Sequence, residues 1–91
     1  ENGDILVDSV AVDSNVIKDI VTSFEEVKDV HKIRSRGSKN NLFIDLHIEV
    51  DPKLDVEKSH QLVHNIEDAI RKNFNKNSNV IVHVEPYDEK R

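Results

Sequence analysis

A histidine and a glutamate, His83 and Glu85, lie two residues apart near the end of the chain, in the sequence VIVHVEP. The stretch is typical of a β-strand because valines alternate with other residues until Pro86 ends the pattern. Residues two apart along a strand face the same side of the sheet. An imidazole and a carboxylate that project together are ordinary ligands of zinc and similar divalent ions.

A second predicted strand, LFIDLHIEVDP, carries side chains of the same kind. Five aliphatic residues occupy one of its faces, which leaves Phe43, Asp45, His47 and Glu49 on the other. If helices cover the apolar faces of both strands, His47 and Glu49 share an uncovered surface with His83 and Glu85. A single histidine on a strand is more often a packed or surface residue, so the grouping is what favours a metal site.

Three more histidines lie outside these two strands. His60 and His64 fall one turn apart in LDVEKSHQLVHNIEDAIRKNF, a predicted amphipathic helix with Asp55 as N-cap. A pair at this spacing can chelate a metal, although it is more often part of a solvated face. His31 precedes KIRSR, and strict alternation would put it on the same face as Ile33, which should be in the core. We therefore expect His31 to precede the regular strand.

The remaining elements complete an α-β-β-α-β order. A first helix is predicted in NVIKDIVTSFEEV with Ser14 or Asn15 as its N-cap, a strand in KDVHKIRSR and a turn in GSKNN. The apolar stripe of the second helix is predicted to contain Val56, Val63, Ile66, Ile70 and Phe74. A hairpin pairs antiparallel and a helical crossover joins parallel strands, so we predict an α+β two-layer sandwich: a small mixed three-stranded sheet with both helices on one face.

Composition sets further limits on function. The 91 residues suit one domain, and the net charge of -5 argues against binding to a nucleic-acid backbone. The lack of cysteine excludes disulfides, thiolate ligands and a cysteine nucleophile, and is compatible with a reducing compartment. The lack of methionine predicts a processed chain or a piece of a longer one, and no apolar run is long enough to span a membrane.

Four local sequences together carry a family resemblance. VHKIRSRG, FIDLHIEVDP, SHQLVHNIEDAI and VIVHVEP occur in this order, and over about residues 15 to 86 the chain resembles the cytosolic C-terminal domain of cation diffusion facilitator transporters. The resemblance implies a metallochaperone-like fold, related to the ferredoxin-like fold, and a V-shaped homodimer that binds metal near its interface. It implies no counterpart for His64, and it places the metal ligands at His31, His47, His60, His83 and Glu85.

The same resemblance implies the domain organisation and the function. Residues 1–13 would be the lead-in that follows the last transmembrane helix, residues 14–87 the metal-binding dimerisation domain, and residues 88–91 a polar tail. The domain would face the cytoplasm beside its own transmembrane domain in a multi-pass metal/proton antiporter. It would bind a divalent metal ion, expected to be Zn²⁺, and bias transport without being an enzyme. Because protonated imidazole cannot bind metal, affinity would be lost below about pH 6.

Two other classes remain open at this stage. A small metallohydrolase would use the same histidines and carboxylates with an open coordination position that activates water; zinc-dependent turnover of a simple ester would identify it. A metal-independent dimerisation or small-ligand regulatory domain would dimerise equally well in chelator, with His47 and His83 apart. The cationic sequence KIRSRGSK allows contact with anionic lipid head groups, but such a hairpin is more often a solvated edge.

Overall fold

A computed structural model describes residues 12–38 and 40–89 of the chain. It contains α1 (Ser14–Thr22), β1 (Val27–Ser38), β2 (Asn41–Val50), α2 (Val56–Asn73) and β3 (Asn79–Pro86), which confirms the predicted order of elements. Residues 1–11 of the predicted lead-in and residues 90 and 91 of the predicted tail lie outside the described residues. No helix within the described part combines the length and apolar character that a membrane crossing needs.

The sheet has the predicted mixed topology. Its strand order is β1-β2-β3, with β1 and β2 antiparallel and β2 and β3 parallel. The hairpin strands extend into the segment predicted as a turn, so that Gly37 pairs with Leu42. Gly37 has φ 105°, and a Cβ added there would collide with the carbonyl oxygen of Asn41. Glycine is therefore needed at this end of the sheet.

One face of the sheet is covered by both helices, as predicted. α1 contacts β1, α2 contacts β3, and the helices contact each other. The buried apolar side chains of both layers form one core: Ile17, Val21, Val30, Leu42, Ile44, Leu46, Ile48, Val50, Leu62, Ile66, Ile70 and Val80. The other face of β2 and β3 presents His47, His83 and Glu85, because alternate residues of a strand face opposite sides.

The starts of the two helices are capped by aspartates. Asp55 caps α2, as predicted, and its carboxylate accepts a hydrogen bond from the Lys58 amide at 2.7 Å. The predicted N-cap of α1, Ser14 or Asn15, is wrong. Asp13 holds that position, where its carboxylate accepts a bond from the Asn15 amide at 2.9 Å and so satisfies a free donor of the first turn.

The buried stripe of α2 differs from the predicted one. Leu62, Ile66 and Ile70 are its buried residues, whereas Val56 is 83% exposed. At about 100° per residue, Val56 points about 120° away from Leu62. The sequence therefore predicted the helix correctly but placed Val56 in the core and omitted Leu62.

A bulge in β1 separates the faces of His31 and Ile33. His31 pairs with His47 and Arg34 with Asp45, so three steps along β1 match two steps along β2. Lys32, within this bulge, has φ 52°. An extra residue reverses the alternation of a strand. His31 can thus lie on the uncovered face while Ile33 packs against the core, and the prediction that His31 precedes the regular strand is wrong.

Replacement of Lys32 by glycine is expected to raise the free energy of unfolding by about 0.5 kcal/mol. Glycine relieves the strain, about 1–2 kcal/mol, that a residue with a Cβ atom has in the left-handed conformation. Part of this gain in stability is offset because glycine makes the unfolded chain more flexible. Urea denaturation measures the change. Lys28→Gly is the matched control, because Lys28 lies exposed on the same strand and its φ is not positive. Equal destabilisation by both substitutions would contradict the prediction.

Candidate metal centre

Each of the three strands contributes one side chain to a cluster on the uncovered face. His31 comes from β1, His47 from β2 and Glu85 from β3. His31 lies opposite His47 in the antiparallel ladder, and His47 lies beside His83 in the parallel one. Glu85 is two residues beyond His83 on the same face, and its side chain reaches back to the imidazoles of His31 and His47.

The Glu85 carboxylate bridges the two histidines. Its Oε1 lies 3.0 Å from His31 Nε2 and its Oε2 lies 2.6 Å from His47 Nδ1. Because a carboxylate only accepts hydrogen bonds, these contacts require Nε2–H on His31 and Nδ1–H on His47. The hydrogen bond from His47 is the main influence that holds the pKa of Glu85 below its ordinary value; burial opposes this shift, and the His31 bond adds to it.

The cluster is accessible while being partly withdrawn from water. The exposed fractions of the side chains are 33% for His31, 19% for His47 and 35% for Glu85. An ion can therefore reach the donor atoms from the uncovered side. The packed sheet behind them restricts the side chains, and this restriction lowers the entropy cost of binding a ligand.

The spacing of the donor atoms fits one metal ion. One donor atom from each of His31, His47 and Glu85 lies within 4.8 Å of the other two. Ligands about 2.0–2.1 Å from a tetrahedral Zn²⁺ are about 3.3 Å apart. The two hydrogen bonds, 3.0 and 2.6 Å long, end on different oxygens of Glu85. An ion bound to all three side chains would take the place of the two imidazole protons and would draw the donor atoms together. Two nitrogens and one carboxylate leave a fourth position open.

His83 lies beside this trio and is not part of it. Its ring stacks on that of His47, with centroids 4.4 Å apart and an angle of 16° between the planes. The side chain is exposed. His83, which the sequence predicted as a ligand, therefore lies next to the cluster, toward the sheet edge that β3 forms.

His60 and Glu49 are placed differently from the trio. His60 lies on α2, in the helical layer, where its ring meets that of His64. Glu49 shares the sheet face of His47 but is only 4% exposed; it lies on the central strand, opposite Asp29 of β1 and Glu85 of β3. The sequence predicted Glu49 on an open surface, and this detail is wrong.

The cationic residues near the hairpin turn have partners on the same face. Arg34 Nε lies 3.2 Å from Asp45 Oδ1, and the guanidinium of Arg36 stacks 4.5 Å above the ring centre of Phe43. These contacts support the interpretation of this segment as a solvated edge. The uncovered face therefore carries paired cations at one end and the imidazole–carboxylate cluster at the other.

The fold is thus a two-layer domain in which imidazole and carboxylate side chains, the donors of a metal site, converge on the free face of the sheet. The sequence profile described as "Cation efflux protein, cytoplasmic domain" matches residues 11–87. The chain therefore belongs to this family, the cytoplasmic domains of the cation diffusion facilitators, and the resemblance inferred from its sequence is confirmed.

Individual relatives agree with this assignment. The cation-efflux pump FieF of Escherichia coli is 37% identical over 70 residues, which cover 77% of this chain and 23% of the pump. Metal tolerance protein 2 of Oryza sativa subsp. japonica is 34% identical over 82 residues, which cover 87% of this chain and 21% of that protein. The chain thus spans less than a quarter of the length of these relatives.

A solved structure extends the similarity to three dimensions. The metal-bound C-terminal domain of the CzcD transporter from Thermotoga maritima is 31% identical and has a TM-score of 0.71. The similar region covers 80% of this chain and 85% of that domain. The predicted α+β fold is confirmed by this similarity.

Proposed function

We propose that this chain is the metal-sensing domain of a divalent cation efflux transporter and that it binds Zn²⁺ through His31, His47 and Glu85. The convergence of three donor atoms from three strands, all within 4.8 Å of one another, is the observation that carries the proposal. The similar domain of the CzcD transporter is metal-bound, which supports a metal-binding role for this fold. Two imidazoles and a carboxylate with an open position match the donors that zinc accepts.

His83 is proposed as a ligand of a second ion beside the first. Its ring lies 4.4 Å from that of His47, and its side chain is exposed and able to change rotamer. Glu85 has two oxygens, each now bonded to a different histidine. One oxygen bound to each ion would make Glu85 a bridge between them, and His60 of another copy could supply a further ligand.

The proposed regulatory step is a change in the arrangement of a homodimer. The chain carries an excess of acidic residues, with 18 Asp and Glu against 13 Lys and Arg. Two such domains repel each other, and bound cations reduce this repulsion. Metal would favour the closed dimer only if it binds that form more tightly than the open one. The same difference in metal affinity would then bias the transport cycle.

The setting of the domain is proposed from the names of its relatives. FieF is named a cation-efflux pump, and the matched family is a cytoplasmic domain of such proteins. We propose that this chain lies on the cytoplasmic side of a membrane, attached to the transmembrane domain of the same protein. In this setting the metal acts as a signal, and no reaction is catalysed.

Calorimetric zinc titration of the chain, with sedimentation velocity before and after saturation, tests the proposal. Wild type is expected to bind zinc saturably and to sediment as a more compact dimer at saturation. His31→Ala/His47→Ala should lose this binding and the compaction, because two of the three ligands are absent. At pH 5.5 wild type should also lose it, since protons compete with the metal for the imidazoles.

A matched double substitution separates this site from other histidines. His60→Ala/His64→Ala also removes two imidazoles but leaves the three-strand cluster intact. It should retain the first ion, which His31→Ala/His47→Ala loses, and should weaken only the second ion, for which His60 of another copy is a proposed ligand. Equal loss in both variants, or equal heat from wild type and His31→Ala/His47→Ala, would contradict the proposed site. A dimer unchanged by zinc would identify the domain as a metal-independent dimerisation scaffold.

A further inference from the structure

The bulge in β1 lies directly beside His31, one of the three proposed ligands. Lys32 and Ile33 together lie opposite a single residue of β2, Leu46, in the antiparallel ladder. Lys32 has φ 52°, a left-handed conformation that normally belongs to glycine in a bulge. Backbone strain of this kind persists only where the surrounding structure holds it, and it is concentrated at functional sites.

The burial pattern of β1 does not require the extra residue. Without Lys32, His31 and Ile33 would be consecutive, and consecutive residues of a strand face opposite sides of the sheet. Ile33 would still pack against the core, as it does now, and His31 would still lie on the uncovered face. The extra residue therefore changes the direction of the strand and not the set of residues that it buries.

The contact between His31 and Glu85 extends across the whole sheet. β1 and β3 are separated by β2, so their backbones are two strand spacings, about 9.5 Å, apart. Glu85 also lies two residues beyond His83, which is in the same row as His31. Side chains stand roughly perpendicular to a sheet, yet His31 Nε2 and Glu85 Oε1 are 3.0 Å apart. The two side chains therefore lean toward each other over the central strand.

A second irregularity in β1 lies on the other side of His31. From Val27 to Asp29, two steps along β1 match one step along β2. Residues 29–31 thus lie between two points at which the regular ladder is interrupted. This short segment can therefore take a direction different from that of the rest of β1.

We propose that Lys32 is a positioning residue of the metal site, because the bulge that it forms turns His31 over the central strand toward Glu85. A bulge bends its strand and increases the local twist, and bulges beside functional sites redirect side chains in this way. Lys32 itself is exposed and contributes no ligand. The inference rests on the proposed function, since it concerns metal binding by His31 together with Glu85.

Deletion of Lys32 from the full chain tests the inference. Zinc affinity, measured by calorimetry, is expected to fall by at least about tenfold, as it does when other groups that orient metal ligands are removed. The free energy of unfolding in urea should not fall, because the burial pattern is kept and the strained residue is absent. In metal-free wild type, long-range proton–nitrogen spectra should show His31 with its proton on Nε2, as the contact with Glu85 requires. The deletion should lose this preference.

Two substitutions that keep the chain length test the same point, even if the shortened strand does not fold. Lys32→Gly adopts a positive φ without strain, so it should keep the bulge and the zinc affinity of wild type. Lys32→Val places a β-branched residue where such residues are rarely found, so it should weaken zinc binding several-fold. Lys28→Val is the matched control, because Lys28 is exposed on the same strand and its φ is not positive. It should bind zinc as wild type does.

The outcomes separate this inference from the proposed function. Zinc affinity of the deletion variant equal to that of wild type would overturn the inference and identify Lys32 as a tolerated insertion, with the three-strand site unaffected. Equal weakening by Lys28→Val and Lys32→Val would also overturn it. Failure of wild type to bind zinc would instead contradict the proposed function, and the proton position on His31 would then decide whether the bulge directs this side chain.

Discussion

Glu85→Gln is expected to weaken zinc binding at the three-strand cluster by at least about 100-fold. Glu85 contacts both histidines of the trio, at 3.0 Å and 2.6 Å. An amide oxygen carries no net charge and is a poor zinc ligand, so the substitution removes one of three donors and the negative charge between two imidazoles. Loss of groups that only orient ligands already costs about 10–100-fold, and a direct ligand should cost more. Zinc titration calorimetry measures the change.

Two further variants make this result specific. Glu25→Gln removes the same charge at an exposed position between α1 and β1, and should leave zinc affinity unchanged. Glu85→Asp retains the charge with a shorter side chain and should bind zinc more tightly than Glu85→Gln. Zinc affinity of Glu85→Gln equal to that of wild type would show that the carboxylate is not a ligand.

Leu62→Ala is expected to lower the free energy of unfolding by about 3 kcal/mol. Leu62 is 3% exposed and belongs to the single core of the domain. Truncation of a buried leucine to alanine typically costs about 2–5 kcal/mol through lost burial and the cavity that remains. For a domain whose total stability is about 5–15 kcal/mol this is a large fraction. Urea denaturation of the metal-free protein measures it.

Val56→Ala is the matched control on the same helix. Its side chain is 83% exposed, so the substitution should change stability by no more than about 0.5 kcal/mol. The pair compares the observed buried face of α2 directly with the one predicted from sequence spacing. A larger cost for Val56→Ala than for Leu62→Ala would favour the predicted stripe over the observed one.

The arrangement of β2 and β3 could be predicted because the sequences of these two strands alternate without interruption. Period-2 patterns in β2 and β3 determined which residues face the helices, and the helical crossover required a parallel pair. His47 and His83 therefore had to lie on one face. Their direct lateral pairing is a matter of register, which the structure supplies.

The position of His31 could not be predicted in the same way. The bulge depends on one residue, Lys32, in a left-handed conformation, and lysine carries no sequence signal for it. Strict alternation along β1 gave a conflict, with His31 and Ile33 on one face, and this conflict was the only sign of an irregular strand. When strict alternation would put a polar residue on the buried face of a strand, the conflict indicates a bulge. It does not indicate that the segment has poor strand propensity.

The contact of His60 with His64 was partly predictable. Their spacing placed them one turn apart on a helix, and the family resemblance associated His60 with the sheet histidines. Helical spacing alone does not say which side of α2 meets the sheet, and the predicted stripe, correct at Ile66 and Ile70, wrongly included Val56 and left out Leu62. Burial of Leu62, Ile66 and Ile70 turns the two imidazoles away from the core.

The bridge between His31 and Glu85 has a consequence for folding kinetics. These residues are 54 positions apart, and they come from the first and last strands, which are not neighbours in the sheet. The three-strand site cannot exist until β3 has docked in parallel beside β2. This docking is a late step in folding, because a long loop must close before the contacts between the two strands form. Zinc bound there would act mainly on the native state, slowing unfolding much more than it speeds folding. Ion occupancy would then determine how long each folded domain persists.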